Sequence, residues 1–200
     1  MSVVSFDTLI NAFCTGQQRI PWFKSSITTE VAGGLVDLGQ ASGNPTPFAT
    51  PTAASSGGTS YTSTTSGAMP FTNPTSGKKT YLATTSATGS QTGMIILIDR
   101  IWACSGITLT NGTTTNISSF PALTRYTDGL GLSLFYVCFT TPTGAQTGTT
   151  LSVTYTNQDN ASKTATITIS QGTTPFATAG TIVRADLAAG DTGIKSISSV

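Results

Sequence analysis

Along the first forty residues the apolar positions change period. From Phe6 to Phe13, the residues Phe6, Leu9, Ile10 and Phe13 fall at i, i+3, i+4 and i+7, which is one stripe of an amphipathic helix. Ser5 stands ahead of the stripe as a side-chain cap, and Gly16 follows it as a stop. A helix of about three turns is marginal alone in water, so its stripe needs a surface to dock on. Next, Pro21-Trp22-Phe23 sets two large rings beside a rigid kink. Thr29 to Leu38 places Val31, Leu35, Val36 and Leu38 around Gly33-Gly34 and fits neither the helical nor the strand period.

Between Gly39 and Gly93 the pattern dissolves. Gly, Ser, Thr, Pro and Ala dominate, and the apolar anchors Phe48, Tyr61, Met69, Phe71, Tyr81 and Leu82 are single and far apart. Such a stretch reads either as a flexible linker or as an extended arm laid over a neighbouring surface. Disordered segments usually carry high charge and few aromatics; this one is nearly uncharged and dotted with rings, which favours the arm. Prolines at 45, 47, 51, 70 and 74 favour extended backbone and lower the entropy lost on docking.

From Met94 onward, strand signals come at regular spacing. Met94 to Ser105 is a continuous apolar segment interrupted by Asp99-Arg100. Ile107–Leu109 and Asn116–Leu123 flank an Asn111-Gly112 turn of the kind that closes hairpins. Leu132 to Thr140 is apolar on both faces, as a central buried strand is. Leu151, Val153 and Tyr155 alternate with polar residues, as do Ala165, Ile167 and Ile169, with a polar turn from Asn157 to Lys163 between them. Ile182–Arg184 and Ile194–Val200 add two more strands bridged by the turn Gly190-Asp191-Thr192-Gly193. Seven or eight short antiparallel strands of this kind predict an all-β fold, an antiparallel β-sandwich of jelly-roll-like or Greek-key type. The expected organisation is a helix and docking segment over 1–38, an extended arm over 39–93 and the sandwich over 94–200.

Composition agrees with strands and narrows the chemistry. Thr is about a fifth of the 200 residues, and its β-branched side chain suits a pleated surface. Only 8% of residues are charged, the net charge is +1, and there is no histidine. Without histidine, Ser-His-Asp and Cys-His nucleophiles are excluded, and zinc would depend on three scattered cysteines. Paired carboxylates remain the most plausible catalytic device for an all-β chain of this composition. Of the eight acids, however, Asp128, Asp159 and Asp191 lie in turn sequences, where Asp typically hydrogen-bonds its own backbone. No catalytic residue, metal site or cofactor is therefore expected. Lys78-Lys79 is the only basic cluster, too little for direct nucleic-acid binding.

Cys14, Cys104 and Cys138 cannot all pair within one chain and read as thiols, with a Cys104–Cys138 bridge left open. The N-terminus lacks the basic flank and apolar core of a secretion signal. The apolar run Met94–Ile98 is far shorter than the roughly 20 residues that span a bilayer, so the mean hydropathy of +0.11 is expected to reflect burial in protein. Asp99 and Arg100 are adjacent in a strand-like segment, so they point to opposite faces and each needs its own partner. That partner is another subunit, a bound molecule or solvent at a strand edge. Together with Phe6, Phe13, Trp22, Phe23, Phe48, Tyr61, Phe71 and Tyr81, they are the candidate interface residues.

Four stretches carry a resemblance: Asp99-Arg100-Ile101-Trp102, Thr127-Asp128-Gly129, Val153-Thr154-Tyr155-Thr156-Asn157-Gln158-Asp159 and Leu187 through Ile194. With a looser likeness from Thr28-Thr29 to Gly43-Asn44-Pro45, they resemble a family of tailed-bacteriophage virion structural proteins. The resemblance implies a β-rich protein made in the host cytoplasm and placed on the outer capsid surface. It further implies a cement or decoration protein, commonly a homotrimer, bound to the major capsid protein and to copies of itself. The alternatives are a tail, neck or minor head component, or a carbohydrate-binding virion module using exposed aromatics.

Overall fold

The structure is a computed structural model that describes residues 5–15, 18–25, 34–72, 74–75, 82, 84–89, 93–107, 114–140, 149–169 and 179–200. It is all-β-like: strands in small antiparallel sheets, one short α-helix and two single 3-10 turns. Among the described residues the sheets do not close into a barrel.

The clearest sequence period gives the clearest element. Strands β6 (Thr149–Asn157) and β7 (Ser162–Ile169) form an antiparallel hairpin in which Val153 faces Ala165 and Leu151 faces Ile167. Alternation sends Val153, Tyr155, Ala165 and Ile167 into the core, all essentially buried, each large side chain contributing about 1.5–3 kcal/mol. On the other side of β6 lies β9 (Ile194–Ser199), antiparallel, with two register shifts. Its Ile194 and Ile197 join the same core as Ala54, Ile117 and Ala185.

A second pair, β5 (Phe135–Val137) and β8 (Ile182–Arg184), is antiparallel, with Tyr136 opposite Val183. An isolated bridge between Thr166 and Asp186 links it to the hairpin. The two strands flanking the 190–193 turn are thus not a hairpin: β8 pairs with β5, and β9 with β6. Leu132–Thr140 supplies only three strand residues, because backbone pairing is available only where β8 runs beside it. The turn at 111–112 lies outside the described residues.

Asp191 departs from the turn role expected of it. Its carboxylate accepts from the Tyr155 hydroxyl and from Asn157 Nδ2 at 2.8 Å, so it ties the 190–193 turn to the end of β6. These two hydrogen bonds hold its carboxyl below the ordinary range. Asp159 also lacks the expected role; Asn157 caps that turn, its Oδ1 accepting from the amides of Asp159 and Ala161. Asp128 behaves as expected, accepting from the Leu130 amide at 3.1 Å.

Helix α1 (Phe6–Thr15) forms where the stripe places it. Ser5 and Thr8 cap it reciprocally, the Ser5 amide donating to Thr8 Oγ1 at 2.9 Å and the Thr8 amide to Ser5 Oγ at 3.3 Å.

The first half of the expected arm is folded onto its own chain. Strand β2 (Gly43–Asn44) pairs with β1 (Phe23–Lys24), and β3 (Thr59–Ser60) pairs with β4 (Trp102–Ala103). The Ala54 amide donates to the Ser105 carbonyl and the Ser105 amide to the Thr52 carbonyl, and Ala54 is part of the main core. The physical reason is turn chemistry rather than periodicity. Gly57 adopts φ +82° beside the Ser119 carbonyl, and its own carbonyl receives Trp102 Nε1 at 2.9 Å. Gly67, at φ +86°, lies against the Phe48 ring, where a Cβ would have no room.

Candidate assembly surface

Asp99 and Arg100 sit at the point where the chain leaves the folded body. As their opposite orientations require, each has its own partner, and both partners are in the same chain. Arg100 Nη2 meets Asp37 Oδ2, with the two side chains 18% and 9% exposed. The guanidinium carbon lies 4.7 Å from the centre of the Phe48 ring and 5.7 Å from that of Tyr61. The two rings meet edge to face at 5.4 Å. Asp37 Oδ1 in turn accepts from the Gly39 amide at 2.9 Å. A desolvated cation held between a carboxylate and two ring faces fixes these segments in one geometry, and removing either charge would strand the other. Burial pushes the Tyr61 hydroxyl up in pKa against the opposing pull of Arg100. It lowers that of Lys24, whose ammonium donates to the Ala41 and Pro45 carbonyls while Asp37 acts in the opposite sense. Phe48, Tyr61 and Arg100 are therefore engaged within the chain, and they latch residues 37–61 to residue 100.

Asp99 takes both oxygens to Arg125 Nη1, at 3.0 and 2.8 Å, in the open. Arg125 Nη2 also reaches the Tyr61 carbonyl at 3.2 Å. Residues 99 and 100 are thus pinned from two sides, and the chain immediately before them is not. Met94, Ile95, Ile96, Leu97 and Ile98 are between 43% and 81% exposed, every one of them. Among the described residues their backbone belongs to no strand and makes no backbone hydrogen bond. Of the strand expected over Met94 to Ser105 only Trp102–Ala103 is a paired strand, and the aliphatic segment Met94–Ile98 lies on the surface of the single chain. The sequence marked it as the longest apolar run; what it could not supply was a strand partner.

Helix α1 presents a second uncovered apolar face. Phe6 is 75% exposed, and Leu9 and Ile10 are nearly half exposed; the Phe13 side chain lies outside the described residues, as does Tyr81. Phe23 and Phe71 are also exposed, whereas Trp22 is half-buried. Trp102 is not available for stacking on a ligand, since its indole nitrogen is bonded to Gly57 and its ring packs on Phe120 at 4.8 Å.

All three cysteines are free. Burial raises the Cys104 thiol to about 11 and also raises that of Cys138. Among the described residues no group of three or more Cys, Asp or Glu side chains is placed to hold a metal ion, and no helix is long and apolar enough to cross a membrane. No protein-family model, curated protein or solved structure matches the chain.

Proposed function

We propose that this chain is a structural component of a tailed-phage virion, specifically a cement or decoration protein that binds the outer head surface and clamps neighbouring capsomers. The observation that carries the reading is the exposed run Met94–Ile98, unpaired among the described residues, on a chain with so few charges. A surface of that kind is an adhesive: it gains by apolar burial and by completing backbone hydrogen bonds, the two terms that strand addition to another chain supplies. The sequence resemblance to virion structural proteins points the same way. The partners in this reading are the major capsid protein and copies of the chain itself, with no direct contact to nucleic acid or membrane and no catalytic role. The same reading takes the small sheets as two layers of one Greek-key or jelly-roll-like sandwich, supported by the shared core, where Tyr136 and Val183 of the β5–β8 pair pack against the cluster that holds Val153, Tyr155 and Ile167.

Co-sedimentation with heads lacking this protein tests the proposal. The full chain is expected to pellet with heads and to stay bound as salt is raised, since few ions take part. Ile96→Asp is expected to abolish pelleting. Failure of the wild-type chain to bind heads, or attachment at tens of copies per particle or fewer, counts against cement; the low copy number would favour a tail or neck component.

A further inference from the structure

Two apolar surfaces of this chain lack a cover, and their dimensions match. Helix α1 has ten residues and so is about 15 Å long. The run Met94–Ile98 is five residues, which span at most about 16 Å. The helix face is Phe6, Leu9 and Ile10; the run is aliphatic throughout, and neither contributes a charge at its centre. Asp99, the acid at the end of the run, is already satisfied by Arg125, and Asp7 is the sole acid of the described helix. A charged partner therefore has nothing to read here, and an apolar one has both surfaces.

Area decides between a stray patch and an interface. At about 200 Å² for a fully exposed large apolar residue, the run alone leaves on the order of 500 Å² uncovered, already at the upper end for a monomer. Adding the helix face brings the total to roughly 800 Å², the amount each partner of a standard protein interface buries. Neither surface reaches that figure alone; together they do. With a net charge of only +1, copies of the chain repel one another weakly.

We infer that helix α1 of one copy docks on the run Met94–Ile98 of a second copy of this chain. The contact is reciprocal: each copy lends its helix to the other and receives the other's helix on its run, so both surfaces of each copy are buried in one isologous pair. It rests on the proposed function at its self-association step and is decided on the isolated protein. Ile96→Asp removes the run from both readings, whereas Ile10→Asp keeps it, so head binding by Ile10→Asp separates the failure of this contact from the failure of head binding.

The test is mass in solution by analytical ultracentrifugation. The wild-type chain is expected as an oligomer, and Ile10→Asp and Ile96→Asp each as a folded monomer, since both positions are exposed in the single chain and their replacement leaves the core intact. Mixing the two variants is expected to restore a heterodimer weaker than the wild-type pair, because one of its two contacts joins an intact helix to an intact run and the other joins the two substituted surfaces. Native Cys14, exposed on α1, supplies a second readout: Ile98→Cys should form an intermolecular disulfide with it that Cys14→Ser removes. A monomeric wild-type chain overturns the inference. So does an oligomer that survives both substitutions, or a mixture that stays monomeric, which would mean that like surfaces pair.

Discussion

Replacing Arg100 by alanine tests whether the latch holds the fold together. The substitution removes the cation and leaves the Asp37 carboxylate, whose side chain is 9% exposed, with the Gly39 amide as its hydrogen-bonded partner. Breaking a buried ion pair from one side costs about 3–5 kcal/mol, because the remaining charge is stranded. The loss of ring contacts to Phe48 and Tyr61 belongs to the same event, since the three groups act as a unit. Lys24 still acts on Asp37 through space, which places the expected loss near the lower end, about 3 kcal/mol. In a chain of this size that is a fall in Tm of about 10 °C. Urea unfolding followed by near-ultraviolet circular dichroism measures it, with limited proteolysis reporting whether residues 39–72 open first. The double replacement Arg100→Met with Asp37→Leu should recover most of the loss, because an apolar pair of similar volume carries no stranded charge. A loss below about 1 kcal/mol for Arg100→Ala would refute the reasoning, as it would place the pair among solvent-screened surface contacts.

The adjacent acid gives the contrasting result: Asp99→Ala, whose ion pair with Arg125 is nearly half exposed on both sides, is expected to cost less than about 1 kcal/mol in the same urea titration. Asp191 makes stability fall in acid, because its folded pKa lies below the unfolded value of 3.8. Its contribution is complete above that value and is lost as pH drops through the folded pKa. Thermal melts from neutral to strongly acidic pH should therefore show a shallower acid loss for Asp191→Asn than for the wild type; equal slopes would deny Asp191 this role. Iodoacetamide is expected to modify exposed Cys14 well before Cys104, whose thiol is half-buried and raised to about 11, and before buried Cys138. Peptide mass mapping reads the order, and faster modification of Cys104 would contradict its packing.

The parts of the fold that were legible in the sequence are those with a period. The stripe Phe6–Phe13 marks α1, and the alternation at 151–155 and 165–169 marks the hairpin, whose Val153, Tyr155, Ala165 and Ile167 are buried in the structure. Burial on one face imposes a register on the sequence, and the register can be read back. Residues 39–72 obey no period because they are held by turns and single anchors. Ala54 enters the core as one small residue among many, and Asp37 gives no signal that its partner is Arg100, 63 positions away. Asp99 and Arg100 were marked as needing separate partners, but which ones depended on tertiary contacts that no local pattern encodes. Met94–Ile98 shows the opposite limit: its composition is that of a buried strand, and the described chain offers it no neighbour to pair with.

Amide hydrogen exchange over residues 94–98, compared between the dilute isolated chain and the chain assembled in particles, measures the central claim most directly. The amides are expected to exchange within the dead time in the dilute chain, where among the described residues no backbone hydrogen bond holds them, and to become strongly protected on assembly. Equally fast exchange in both states would contradict the account, because the segment would then remain in water where the adhesive role requires it to be covered.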